Sequence, residues 1–213
     1  MKTYTHILWD FNGTLYDDVD VCLTCAKRLM AAHGLKAMET VEEYREIFGF
    51  PIIDYYARMG FDFSKTPYSE LAVEWVAYYN EESRNKAHLA LGAAEALQAF
   101  RERGVSQLVL SASEKNMLQR QVRELGILPY FDDLLGLSNI HAYSKTEIGK
   151  AWKDAHADAK ALLIGDTDHD AEVAREMGID CILVAAGHQS KSRLQACNPL
   201  LVIDDLYDIL KQF

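Results

Sequence analysis

Ile7-Leu8-Trp9-Asp10-Phe11-Asn12-Gly13-Thr14-Leu15 opens on three apolar residues and breaks at a carboxylate. Outward from it, similar short runs recur at Leu108-Val109-Leu110, Leu162-Leu163-Ile164, Ile182-Leu183-Val184 and Leu200-Leu201-Val202-Ile203. Leu134 to Leu137 is a weaker one. Uninterrupted apolar runs of this length suit strands buried on both faces of a parallel sheet. The helical stretches between them stop at Gly104, Gly126 and Gly178, glycine being the usual residue after a last helical turn. The alternation predicts an α/β fold with a doubly wound parallel sheet.

One stretch interrupts the alternation. From Asp17 onward the pattern is helical, with no strand, until the late eighties. Val19 to Ala32 reads as a helix stopped by Gly34. Thr40 with Glu43 forms a capping box for a second. Pro51 to Met59 is a third, stopped by Gly60. Thr66-Pro67 opens a fourth, with threonine as cap and an apolar face of Leu71, Trp75, Tyr78 and Tyr79. Residues 1–16 and 88–213 are therefore expected to form the core domain, and 17–87 an inserted all-helical cap.

The 213 residues carry a formal net charge of -10, which disfavours nucleic acid and anionic membrane surfaces as partners. The same field repels phosphorylated metabolites, so a phosphate site needs local cations. No run is long enough to span a bilayer, and the first ten residues lack the features of a signal peptide. The expectation is a cytoplasmic protein, monomeric by default. Cys22, Cys25, Cys181 and Cys197 are too few for a disulfide framework. Cys22 and Cys25 read as two small residues on one helix face, with no second pair at zinc spacing.

Three polar residues close three of the apolar runs: Asp10, Ser111 and, after Gly165, Asp166. Open parallel sheets bind ligands at the carboxyl ends of their strands. Neighbouring strands would bring the three side chains into one crevice. Each alone has an ordinary reading as a turn residue or helix cap, Thr14 included. Asp10-Phe11-Asn12-Gly13-Thr14, Ser111, Ser144-Lys145 and Gly165-Asp166-Thr167-Asp168-His169-Asp170 occur in an order that resembles the haloacid dehalogenase-like hydrolases. The helical insert, with Phe48-Gly49-Phe50-Pro51, resembles the cap of that family's phosphoglycolate phosphatase-like branch.

The resemblance implies a phosphatase acting on a small phosphorylated metabolite through an aspartyl phosphate on Asp10. It implies Mg²⁺ held by Asp10, Asp166 and the main-chain carbonyl of Asn12, with Asp170 in the first or second shell. Thr14, Ser111 and Lys145 would hold the phosphoryl oxygens, with Lys150 competing for the role of Lys145. Asp168 and His169 read as solvated loop residues, with His169 close enough to serve as a spare proton donor. Tyr16, Arg45, Phe50, Tyr55 and Arg58 are the cap's candidate substrate contacts, each also readable as packing.

Asn12 departs from the pattern. The family's phosphatases place an aspartate there as general acid and base, and asparagine cannot shuttle a proton. Three readings stay open: a phosphatase with another proton donor, a slow enzyme with a long-lived acyl phosphate, or an engineered change. A catalytically impaired phosphoryl-transfer enzyme or binding module is the alternative function. A dehalogenase is disfavoured by the acidic Gly-Asp-x-x-x-Asp segment. A receiver domain is disfavoured by length and by the insert.

Overall fold

The computed structural model describes residues 3–86, 88–138 and 144–212. Ala87, where the expected cap ends, and the chain ends Met1 and Phe213 lie outside the described residues. In chain order the elements are β1 (His6–Trp9), β2 (Tyr16–Asp17), α1 (Val19–Ala32), α2 (Val41–Ile47), α3 (Ile52–Arg58), α4 (Tyr68–Glu82), β3 (His88–Leu89), α5 (Ala93–Glu102), β4 (Ser106–Glu114), α6 (Lys115–Glu124), β5 (Asp133–Leu137), α7 (Thr146–Ala155), β6 (Ala161–Gly165), α8 (Asp168–Met177), β7 (Asp180–Val184), α9 (Lys191–Ala196) and β8 (Leu201–Ile203).

Six strands form one parallel sheet in the order β5-β4-β1-β6-β7-β8. β1 lies between β4 and β6, and the order reverses there. That puts Asp10 at the switch point, where doubly wound sheets bind ligands. Alternate residues of β1 feed two apolar layers. Ile7 and Trp9 pack with Leu97, Phe100 and Val109. Leu8 packs on the other face with Leu108, Leu110, Leu163, Leu183 and Trp152. Ile7, Leu8 and Trp9 are all fully buried, which explains the unalternated run.

The insert leaves and returns through an antiparallel ribbon, Tyr16 against Leu89 and Asp17 against His88. Asp17 is therefore a strand residue rather than the start of a helical region. α1 to α4 follow the sequence pattern, and the Thr40–Glu43 capping box is formed. Thr66 is not the cap of α4. Pro67 takes that position without a side-chain cap bond, its carbonyl accepting from the Glu70 and Leu71 N–H groups, while the Thr66 N–H closes the preceding turn on the Asp62 carbonyl. Tyr44, Phe48, Tyr55, Tyr56 and Trp75 form a linked aromatic cluster inside the insert.

Two arginines bind insert to core. Arg45 donates to the Gly187 and Ala186 carbonyls at 2.8 and 2.6 Å. Arg193, from α9, donates to the Arg45 and Phe48 carbonyls at 2.8 and 2.7 Å and to Asp168 at 3.0 Å. Seven-residue α2 thus has its orphan C-terminal carbonyls satisfied by a core side chain.

Candidate active site

Asp10 leaves β1 with its N–H bonded to the Ile164 carbonyl at 2.8 Å, which fixes its direction against β6. The Lys145 ammonium, at the start of α7, contacts Asp10, and lies 2.6 Å from Asp170 Oδ1 and 2.9 Å from the Leu110 carbonyl. Lys145 is 2% exposed. Lys150 instead lies on the surface beside Glu147 and Glu176, so only Lys145 joins the cluster. Burial disfavours the Lys145 charge, but Asp10 and Asp170 outweigh it and raise its pKa. Burial pushes the Asp10 carboxyl well up, with Lys145 opposing and Asp170 and Asp166 adding. For Asp170, burial is overcome by Lys145 and Thr167, and its pKa is lowered.

Asp166 follows β6 and is fully buried. Its oxygens accept from Thr14 Oγ1 at 2.9 Å and from the His188 N–H at 2.7 Å. Burial raises its pKa to about 6. Thr14 thus departs from expectation: its hydroxyl points at Asp166 and it does not line the cavity. Gly13 has φ +74°, and a Cβ there would meet Asp166 Oδ2 at 2.3 Å. That close approach explains the glycine. Asp170 closes the Thr167 capping box at the start of α8, accepting from the Thr167 N–H and hydroxyl at 3.0 and 2.7 Å.

The Asn12 side chain is fully engaged. Its amide donates to Asp18 Oδ2 at 2.7 Å and to the Tyr79 hydroxyl at 2.9 Å, and its oxygen accepts from Ser113 Oγ at 2.7 Å. Asp18 also accepts from Tyr79 and the Gly13 N–H, and faces His188 Nε2 at 3.3 Å. Burial is outweighed there by His188, Tyr79 and Asn12, and the Asp18 pKa is lowered. Burial likewise opposes charge on His188, but Asp18 raises it to about 9. The far nitrogen of His188 is 2.8 Å from the Tyr44 hydroxyl. Asp18, Tyr79, Ser113 and His188 were not among the sequence candidates. His188 follows the end of β7, so the strand-end rule could have found it. No local pattern marks Asp18 or Tyr79, which meet only when the insert folds back.

Ser111 is buried and lines the cavity, but it lies within β4 rather than after it. Between Leu110 and Glu114 the register to β5 shifts, so Leu110 pairs with Leu135 and Glu114 with Leu137. Such a bulge re-aims side chains beside a site. His169 is not a solvated loop residue. It sits in α8, 7% exposed, with its ring 4.7 Å from Phe50. Asp168 is also helical and anchors Arg193 and Gln189. Phe50 and Tyr55 line the cavity. Tyr16 stacks on Phe11, while Arg45 and Arg58 spend donors on main-chain carbonyls. Cys22 and Cys25 are buried on α1, Cys22 near Asp18 and His188.

Asp10, Asp166 and Asp170 present oxygens within 4.8 Å of one another. Three buried carboxylates against one ammonium leave an excess of hard oxygen donors, which fits a divalent cation such as Mg²⁺. Among the described residues, no helix is long and apolar enough to cross a membrane.

The model of the haloacid dehalogenase-like hydrolases matches residues 7–184. A phosphoglycolate phosphatase from Photobacterium profundum is 24% identical over 218 residues, covering 96% of this chain and 95% of its own. One from Nitrosococcus oceani is 23% identical, covering 98% and 96%. A haloacid dehalogenase-like family hydrolase from Streptococcus pneumoniae superposes with a TM-score of 0.85 at 22% identity, covering both chains fully. With its family model spanning Ile7 to Val184 and its strand ends converging on Asp10, this chain belongs to the haloacid dehalogenase-like hydrolases.

Proposed function

We propose that this enzyme is a Mg²⁺-dependent phosphatase that acts on a small phosphorylated metabolite through an aspartyl phosphate on Asp10. The observation that carries the reading is the convergence of Asp10, Asp166, Asp170 and Lys145 at the switch point of the sheet. An Asp10 oxygen forms a bond to phosphorus as the ester P–O bond breaks, and the leaving oxygen takes the electron pair. Water then attacks phosphorus, the Asp10–phosphorus bond breaks, and inorganic phosphate and a free carboxylate result. Lys145 neutralises charge on the phosphoryl oxygens, and Ser111 offers a hydroxyl to them. Thr14 acts one step back, holding Asp166 in place. Asp10, Asp166 and the Asn12 carbonyl would hold Mg²⁺, with Asp170 adjoining. Bound there, the ion offsets carboxylate–phosphate repulsion and polarises the phosphoryl group.

The test is hydrolysis of p-nitrophenyl phosphate with Mg²⁺, with chelator, and in Asp10→Ala. The proposal expects turnover only in the first. Turnover that survives both perturbations would overturn it. The second reading, a slow phosphoryl-transfer enzyme, is favoured by the sequestered Asn12 amide. It expects one stoichiometric burst and a persistent acyl phosphate in place of steady turnover.

A further inference from the structure

The cavity between the insert and the strand ends has a volume of about 170 Å³. Voids of roughly 150 Å³ lined by apolar side chains take up a single benzene ring. Its floor is polar, with Asp10, Ser111 and Lys145. Its walls are Phe50, Ile52, Tyr55, Trp75, Val76 and Met117. Pockets with apolar walls and a few convergent polar groups bind apolar bodies oriented by one polar end.

The charges decide what that body is. Among the described lining residues, the groups able to carry positive charge are Lys145, His169 and His188. Lys145 is held between Asp10 and Asp170. His188 is held between Asp18 and Tyr44. His169 lies against Phe50, its ring nitrogens 3.5 Å from Ser144 and Glu172. Arg45 and Arg58 are turned to main-chain carbonyls and do not line the cavity. Glu114 and Asp18 add negative charge to the lining. Among the described lining residues, a substrate carboxylate, as in phosphoglycolate, would meet Glu114 and Asp18 and find only His169 outside a close ion pair, which is unfavourable.

A second observation bears on the leaving group. With all Asn12 polar atoms engaged, the position that flanks Asp10 offers no proton to the departing oxygen. A phenolate departs without one, whereas an alkoxide depends on general acid help.

We propose that the site is built for the phosphomonoester of an uncharged, ring-sized aryl alcohol. This rests on the phosphatase reading above. In the first step the P–O(aryl) bond breaks, the phenolate keeps the electron pair and takes a proton from solvent, and the Asp10–phosphorus bond forms. Water then releases inorganic phosphate and a proton.

The test compares kcat/KM for phenyl phosphate, cyclohexyl phosphate, ethyl phosphate and 2-phosphoglycolate at saturating Mg²⁺. Phenyl phosphate should exceed phosphoglycolate by at least about 10²-fold, the effect of one uncompensated charge. Cyclohexyl phosphate should share its KM but show a lower kcat, since it fits the walls but leaves poorly. Val76→Lys should narrow the gap between phenyl phosphate and phosphoglycolate by about tenfold or more, and Val76→Leu should not. Quenching of Trp75 fluorescence by phenol and not by glycolate, absent in Trp75→Phe, reads the cavity without turnover. Phosphoglycolate turned over as well as phenyl phosphate would overturn the inference and leave the phosphatase standing. Phenol binding with no ester hydrolysed would end the phosphatase reading and, with it, the substrate assignment.

Discussion

Asn12→Asp gives the family's usual residue at this position, yet the structure predicts a penalty for it. The Asn12 amide nitrogen lies 2.7 Å from Asp18 Oδ2, inside a fully engaged, partly buried network. A carboxylate in its place would face an ionised carboxylate. At an effective dielectric of about 20, two unit charges at that distance repel by about 6 kcal/mol. Taking up a proton is the cheaper escape. Protonating a carboxyl of ordinary pKa at pH 7 costs about 4 kcal/mol, which caps the loss. The variant should therefore be less stable than the parent by about 3–4 kcal/mol at pH 7. The folded-state pKa of the new carboxyl is raised, so the parent's advantage vanishes below its unfolded value near about 4 and grows as pH rises. Urea denaturation at pH 5 and pH 7 reads both effects. Asn12→Asp combined with Asp18→Asn restores one charge and one amide, and should recover most of the loss. That corresponds to a coupling energy of about 2–4 kcal/mol, in the upper part of the range for contacting residues or just above it. A gain of about 10²–10⁴ in alkyl phosphate turnover, the usual worth of a general acid, belongs to the double variant. In the single variant the proton is shared with Asp18. Parent-like stability of Asn12→Asp at pH 7, without coupling to Asp18, would refute the reasoning.

Lys145→Met should lower kcat/KM by at least about 10²-fold, since it removes the one ammonium between Asp10 and Asp170; steady-state kinetics check this. Asp166→Asn should weaken Mg²⁺ binding by calorimetry about tenfold or more, whereas Asp168→Asn should leave it intact and loosen the Arg193 contact instead. Arg193→Ala frees the α2 carbonyls and should raise hydrogen exchange across Val41–Ile47 while costing about 1–3 kcal/mol. His188, raised to about 9 by Asp18, contributes stability that is complete below about 6.5 and is lost as pH rises through about 9, at most about 3 kcal/mol; urea denaturation repeated from below about pH 6.5 to above about pH 9 reads the loss, and His188→Gln should lack it.

How much of this was legible in the sequence differs by element. The strands were, because β1, β6 and β7 are buried on both faces and leave unbroken apolar runs. The helix ends were where a local device marks them, as with Thr40 and Glu43. Thr66 is not such a case: it belongs to the preceding turn, and α4 begins one residue later, after Pro67. The end of β4 was misplaced because a polar run, Ser111-Ala112-Ser113, continues the strand through a register shift. Asp10 and Asp166 are legible because each stands at a strand end, and Lys145 and Asp170 through the resemblance of their segments to the family's. Of the residues around them, His188 follows β7 and is within reach of the strand-end rule, whereas Asp18 and Tyr79 are not, since they meet only when the insert folds back. Thr14 was named but given a different task, because a side chain's aim depends on the turn that carries it.

The central claim is that Asp10 carries the phosphoryl group. Mass spectrometry of the enzyme, acid-quenched soon after mixing with phenyl phosphate and Mg²⁺, tests it most directly. The account predicts one phosphoryl group per chain on the peptide containing Asp10, labile to hydroxylamine, and none in Asp10→Asn. Phosphoryl found on another residue, or phosphate released by Asp10→Asn at the parent rate, would contradict it.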